Sequence, residues 1–317
     1  MRWALASSLL ALLLAGIPGC GGGGVHEPQS TTLLLDSRPN AVQAGIYAAK
    51  AESFYRKAGV ELEIHQPGES TDAPKRLAAG RTDFAILDIH DLGIAREQGL
   101  DVVGLMPIVH RPLITVLTHF YGDVRRPRDL EGHTVGVSGR PADEAVVDAE
   151  VKADGGDPAK VEKVTIGPDA VPALLNRKVD AVTAFWSTEA VELERMNVPI
   201  RRFVADRHGT PKYPELVLAT SGDLLESDPD LVRAVVGATM RGYRFTALQS
   251  TKALQDLLAA NPSLDELEQQ EQLTGVAYSM HAIAFQPGVL REWAAWDLEN
   301  GILERRLDIE SAFDLES

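Results

Sequence analysis

The chain has 317 residues, 44% of them hydrophobic, enough to fill one large domain or two of ordinary size. Its formal charge of −15 repels phosphate backbones, which argues against nucleic-acid binding and against broad electrostatic adhesion to anionic lipid. Cys20 is the single cysteine, so no internal disulfide forms.

Met1 to Gly19 reads as a targeting segment rather than as part of the fold. Arg2 is a thin positive start, and Leu9 to Ile17 is an apolar run too short to span a bilayer comfortably. Ile17-Pro18-Gly19-Cys20 resembles a bacterial lipobox, which implies a lipidated Cys20 as the mature N-terminus; an ordinary secretory signal is the alternative. Gly21 to Gly24 look like a spacer, so residues 20–31 read as a flexible tether. No later run is apolar enough to cross a membrane. The expectation is a monomeric, extracytoplasmic body that meets the membrane through its lipid anchor alone.

The stretch from Leu33 to Gly68 reads as strand, loop, helix, glycine stop and strand. Leu33 to Leu35 is a short apolar run, and Pro39 forbids its continuation as an interior strand. Asn40 stands where a helix N-cap stands, before an alanine-rich, proline-free stretch from Ala41 to Ala58. Gly59 supplies the stop, and Val60 to Ile64 alternates as a strand should. A polar loop between the carboxyl end of a strand and a helix is where open α/β sheets bind ligands.

The α/β rhythm continues. Ser70-Thr71-Asp72 can cap a helix through Ala79; Phe84 to Leu87 is a buried strand delivering Asp88; Leu92 to Gln98 is helical up to Gly99. Val102–Val109 and Leu113–Thr118 are strand candidates, and a second lobe is expected from there. Within it His133–Val137, Val161–Ile166, Val179–Phe185 and Ile200–Val204 read as strands. Pro141, with Asp143 and Glu144, suits the first turn of a helix reaching about Asp154, and another helix spans Asp169–Asn176. Tyr213–Thr220 leads back into lobe one. From Asp228-Pro229-Asp230 onward the chain is helical, including a helix around Trp293 and Trp296.

Several motifs carry a family resemblance. Leu35-Asp36, Pro39-Asn40 and Gly45, followed by Ala58-Gly59-Val60-Glu61-Leu62-Glu63-Ile64 and Gln66-Pro67-Gly68, resemble the NMT1/THI5-like group of solute-binding proteins. Trp186 with Glu189, and Pro211-x-Tyr213-Pro214-Glu215-Leu216-Val217, extend it. The resemblance implies a two-lobed α/β, periplasmic-binding-protein-like (type II) clamshell with its ligand cleft between the lobes. It divides the chain into residues 32–118 plus 221–317 for lobe one and residues 119–220 for lobe two. It further implies an ABC permease and its ATPase as partners, a thiamin-precursor aminopyrimidine as ligand, and no catalysis. The family usually has Trp where this chain has Ser37 and His where it has Gln43. The first departure removes a stacking surface; the second exchanges an imidazole for an amide.

On that resemblance the candidate ligand residues are Asp36, Asn40, Gln43, Gln66, Asp88, Trp186, Glu189 and Tyr213. Each has a structural alternative. Asn40 and Asp88 can simply cap helices, Asp36 can hold its loop, and Gln66 with Gly68 can shape a turn. Trp186 can serve a hinge or core and Glu189 can be solvated, while Glu215 is structural beside a stacking Tyr213; Tyr47 is core. The candidates are polar-neutral, acidic and aromatic, which fits a flat ring bearing an amine better than a sugar, a charged substrate or an inorganic anion. No cofactor and no metal is expected, because the eight histidines show no ligand spacing and no P-loop or nucleophile elbow occurs. Two other readings stay open: a binding protein for riboflavin or an alkanesulfonate, and a pyrimidine synthase of the kind that consumes its own histidine with pyridoxal phosphate and iron. Gln43 at the histidine position and the lack of any cysteine after Cys20 count against the synthase.

Overall fold

The computed structural model describes residues 27–68, 72–280 and 284–315. Met1 to Gly19, read above as a targeting segment, and Cys20 lie outside these residues. The chain lays down β1 (Gln29–Leu34), a 3₁₀ turn at Ala41–Gln43, α1 (Ala44–Ala51), α2 (Phe54–Lys57), β2 (Val60–His65) and α3 (Ala73–Ala78). β3 (Phe84–Asp88), α4 (Ile89–Glu97) and β4 (Val103–Val109) follow. Then come β5 (Ile114–His119), β6 (Thr134–Val137), α5 (Pro141–Ala153), β7 (Glu162–Thr165), α6 (Ala170–Leu175), β8 (Ala181–Phe185), α7 (Glu189–Arg195) and β9 (Ile200–Val204). β10 (Leu216–Thr220) precedes α8 (Gly222–Ser227), α9 (Pro229–Leu248), α10 (Ser250–Ala260), α11 (Glu266–Val276), α12 (Pro287–Glu299) and α13 (Ile309–Ala312).

These strands form two five-stranded sheets, ordered β2-β1-β3-β10-β4 and β7-β6-β8-β5-β9. The two orders share one plan: three parallel strands, then an antiparallel strand that directly follows a crossing of the backbone between the sheets. β10 enters the first sheet with Leu216 opposite Asp88 and Thr220 opposite Phe84. β5 enters the second with Ile114 opposite Phe185. The backbone therefore passes between the sheets twice, at residues 110–113 and 205–215.

Both faces of each sheet are covered, as mostly parallel sheets require. One face of the first sheet packs Leu33, Ile86 and Leu218 against Ile46 of α1 and Val235 and Tyr243 of α9. The other packs Leu34, Leu87 and Val217 against Trp293 of α12 and Phe313. The second sheet buries Val116 and Val135 against Val147 and Val151 of α5, and Leu117 and Val182 against Leu174 of α6.

Three local expectations are corrected. The helix expected over Ala41–Ala58 is broken at Ser53, which sits in the left-handed region at φ 60°. The break turns Tyr55 into the core, where its hydroxyl lies 2.8 Å from Thr239 Oγ1. The helix expected from Leu92 begins at Ile89, because Asp88 caps it by accepting from His90 N at 2.8 Å. Gln29 to Thr31, read as the end of the tether, are strand residues paired with Val60 to Leu62.

Candidate ligand-binding cleft

β1, β2 and β3 run parallel, so their carboxyl ends open on one side of the first sheet. A cavity of ≈ 520 Å³ lies there, within the range of small-molecule sites. The loop after β1 contributes Asp36 and Ser37, the loop after β2 Pro67, and the end of β3 Asp88. The second sheet offers its carboxyl ends to the same space: Phe185 closes β8, and Arg140 follows β6. Asp91 of α4, Lys75 of α3 and Gln98 add to the polar lining, with Asp72 beside Lys75 at 2.6 Å.

Asn40 N-caps the 3₁₀ turn, its Oδ1 accepting from Val42 N at 2.9 Å. Gln43 is fully buried; its Oε1 accepts from Asn40 N at 2.8 Å and its Nε2 donates to Asp36 Oδ1 at 2.9 Å. Asp36 is thus clamped through one oxygen beside the cavity. Burial raises its pKa above the ordinary value, against the lowering effect of Gln43 and Ser37.

Arg140 is positioned by Gly139, whose φ of +100° turns the chain from β6 into α5. Asp143 fixes this turn by accepting from Ser138 N at 2.7 Å and from Thr183 Oγ1 at 2.9 Å. From there the guanidinium crosses to the first sheet. Its Nη1 donates to Asp88 Oδ2 at 3.2 Å, and its Nη2 lies 3.9 Å from Asp91 Oδ2. Burial and the neighbouring Asp88 push the Asp91 carboxyl up to about 6, although Arg140 opposes this.

Behind Asp88 sits a buried cluster on the crossing segments. Glu215 Oε2 accepts from Leu113 N at 2.6 Å, and Glu215 O accepts from Ile89 N at 3.0 Å. One carboxylate thereby ties the second crossing to the first. Burial, reinforced by Asp88, raises its pKa to about 8. His90 Nδ1 lies 2.8 Å from Asp297 Oδ2, and its ring stands edge-on to Tyr213 at 4.8 Å. Burial alone would lower the His90 pKa, but Asp297, Asp88 and Glu215 outweigh it and bring the value to about 9.

The structure brings Asp36 and Asp88 together on the cavity wall and places the other candidates elsewhere. Asn40 and Gln43 stand one layer behind Asp36. Gln66 is solvent-exposed, while its neighbour Pro67 lines the cavity. Trp186 is half-buried at the first crossing: its Nε1 donates to Pro112 O at 2.9 Å and Arg111 lies over its ring at 5.3 Å. Glu189 accepts from Phe185 N at 3.0 Å and Thr188 Oγ1 at 2.6 Å, so it ties the start of its helix to the end of β8. Tyr213 is wholly buried between His90 and Trp296, without a face toward the cavity. Tyr47 is core, as expected. Sequence reasoning missed Arg140, Asp91 and Phe185. Arg140, just past β6, and Phe185, the last residue of β8, carry the same signal that flagged Asp36, a place at the carboxyl end of a parallel strand. Among the described residues no group of His, Cys, Asp and Glu is arranged to hold a metal, and no helix is long and apolar enough to cross a membrane.

The geometry can be set beside known proteins. The formylaminopyrimidine-binding protein of Halalkalibacterium halodurans is 29% identical over 273 residues, covering 84% of this chain and 83% of that protein. The 4-amino-5-hydroxymethyl-2-methylpyrimidine phosphate synthase of Legionella pneumophila is 24% identical, covering 74% of each. Among solved structures, the periplasmic aliphatic sulphonate-binding protein SsuA of Escherichia coli superposes with a TM-score of 0.73 at 15% identity, over 90% of this chain and 92% of that one. The fold is therefore that of the periplasmic binding proteins. The family description NMT1/THI5 like matches residues 40–253, about two thirds of the sequence, and the chain belongs to that family.

Proposed function

We propose that this protein is the solute-binding component of an ABC importer, capturing a thiamin-precursor aminopyrimidine and delivering it unchanged to a permease and its ATPase. The observation that carries this reading is the cavity between the carboxyl ends of two sheets, lined by Asp36, Asp88 and Asp91 and by the aromatic Phe185. A flat ring needs an aromatic face, and its exocyclic amine needs a carboxylate; a hydrogen bond to a charged group contributes roughly 1.5–3 kcal/mol. The similarity to a formylaminopyrimidine-binding protein along most of both chains supports the same ligand class. The two crossings are then a hinge, with Glu215 and Trp186 as its fittings rather than as ligand contacts. The lipid anchor read at Cys20 would hold the body beside its permease.

The synthase reading is disfavoured by two features of the chain itself. Gln43 replaces the histidine that such enzymes consume, and it is buried against Asp36. The residues after Cys20 contain no cysteine.

A thermal-shift screen of the soluble body against aminopyrimidines, riboflavin and alkanesulfonates tests the proposal. A true ligand at about a hundred times its Kd stabilises by about 2.7 kcal/mol, a rise of roughly 5 °C in Tm. The expected result is that rise with an aminopyrimidine only. Stabilisation by flavin or sulfonate with none by any pyrimidine refutes the ligand assignment.

A further inference from the structure

The cavity wall carries the four carboxylates Asp36, Asp72, Asp88 and Asp91 and two cations, Lys75 and Arg140. Lys75 is spent on Asp72 at 2.6 Å. Arg140 is spent on Asp88 and Asp91. Neither cation is left uncommitted for an anionic ligand. Asp88, the most buried of the four at 8% side-chain exposure, has both oxygens engaged: Oδ1 caps His90 and Oδ2 meets Arg140. The His90 bond is part of helix α4 and cannot be given up cheaply. The Arg140 bond is different, because its side chain is 46% exposed and reaches over from the opposite sheet.

We propose that Arg140 determines specificity by holding on Asp88 the place that the ligand's N–H donors take, so that a ligand reaches the carboxylate only by exchange with the guanidinium. The inference rests on the aminopyrimidine reading for the identity of the ring, but not for the exchange itself. A guanidinium presents parallel N–H groups in a planar fork. A 4-aminopyrimidine protonated at N3, the ring nitrogen next to its amine, presents the same fork, one N–H for Asp88 Oδ2 and one toward Asp91 Oδ2. A ligand with that fork replaces the pair it breaks. A ligand offering only acceptors, such as a sulfonate, strands Asp88 as a buried, half-partnered carboxylate, and that cost selects against it. Arg140 thus sets a threshold that a mere ring or a mere charge does not pass.

Calorimetric titration of wild type, Arg140→Met and Arg140→Met with Asp88→Asn tests this, using two probes: acetamidinium, which is the bare fork, and 4-amino-5-hydroxymethyl-2-methylpyrimidine. Expected is about tenfold tighter binding of both probes to Arg140→Met and loss of that gain in the double variant. Arg140→Lys, which keeps a charge without the planar fork, serves if the methionine variant fails to fold, and gains by a smaller factor. Unchanged or weaker acetamidinium binding in Arg140→Met overturns the exchange, and so does a gain that survives Asp88→Asn. If acetamidinium shows the gain while no form binds the pyrimidine, the exchange at Asp88 stands and the aminopyrimidine reading fails.

Discussion

At the scale of single residues, polar side chains around the cleft are arranged by other polar side chains. Asn40 and Gln43 bond each other's backbone and side chain, and Gln43 then spends its amide on Asp36. Glu215 does comparable work at the crossings, and its environment makes a prediction. Its folded pKa of about 8 exceeds the ordinary 4.5, so the folded state holds the proton longer than the unfolded chain does. Stability then falls as pH rises through that window and is greatest below it. His90 adds the opposite ionisation: its raised value gives stability present below about 6.5 and lost toward 9. Between about pH 5 and about pH 6.5 the Glu215 contribution falls alongside that of the buried Glu150, whose carboxyl is also pushed well above its ordinary value, and Glu215→Gln removes the Glu215 share. Urea unfolding at both pH values should show wild type losing stability across the interval and the variant losing less; equal slopes would exclude the assigned role. The cap at Asn40 was legible in the sequence because capping is local. The direction of the Gln43 amide was not, since its partner is fixed by how the loop after β1 folds back.

At the scale of elements, α1 and α9 meet at two glycines. A Cβ on Gly242 would stand 2.0 Å from Gly45 O, and one on Gly45 would stand 2.6 Å from the Tyr243 ring. These helices touch backbone to backbone, and Tyr243 seals the contact by donating to Val42 O at 2.9 Å. Gly242→Ala gains about 1 kcal/mol of helix propensity but forces apart a packed pair, which costs about 3 kcal/mol. A net loss of roughly 2 kcal/mol is expected by denaturant unfolding; a stabilised variant would show that the helices separate freely. Strands and their order along the chain were readable from apolar runs between glycine stops. The break at Ser53 was not, because nothing in its neighbours forbids a continuous helix; the pull comes from Thr239, far along the chain, on Tyr55.

At the scale of the whole molecule, alternating strands and helices made a two-sheet α/β protein legible. The joins between the halves were not, because they pair residues distant in sequence: Arg140 with Asp88, and Arg195 of α7 with Asp265 and Glu271 around α11. Since β10 joins the first sheet only after the chain has run through every strand of the second, the first half is not complete without the far side of the second crossing. Thermal unfolding is therefore expected as one cooperative transition with coincident near- and far-ultraviolet signals; two separated steps would mean that the halves are autonomous. The position of β10 has a consequence for biogenesis. It is inserted between β3 and β4, yet it is made after every strand of the second sheet. A growing polypeptide cannot finish its first sheet until residue 220 has left the ribosome, and until then β3 and β4 present raw edges. Such edges invite wrong partners. Under the proposed extracytoplasmic role that delay is an advantage, because a translocation channel threads only what has not yet closed.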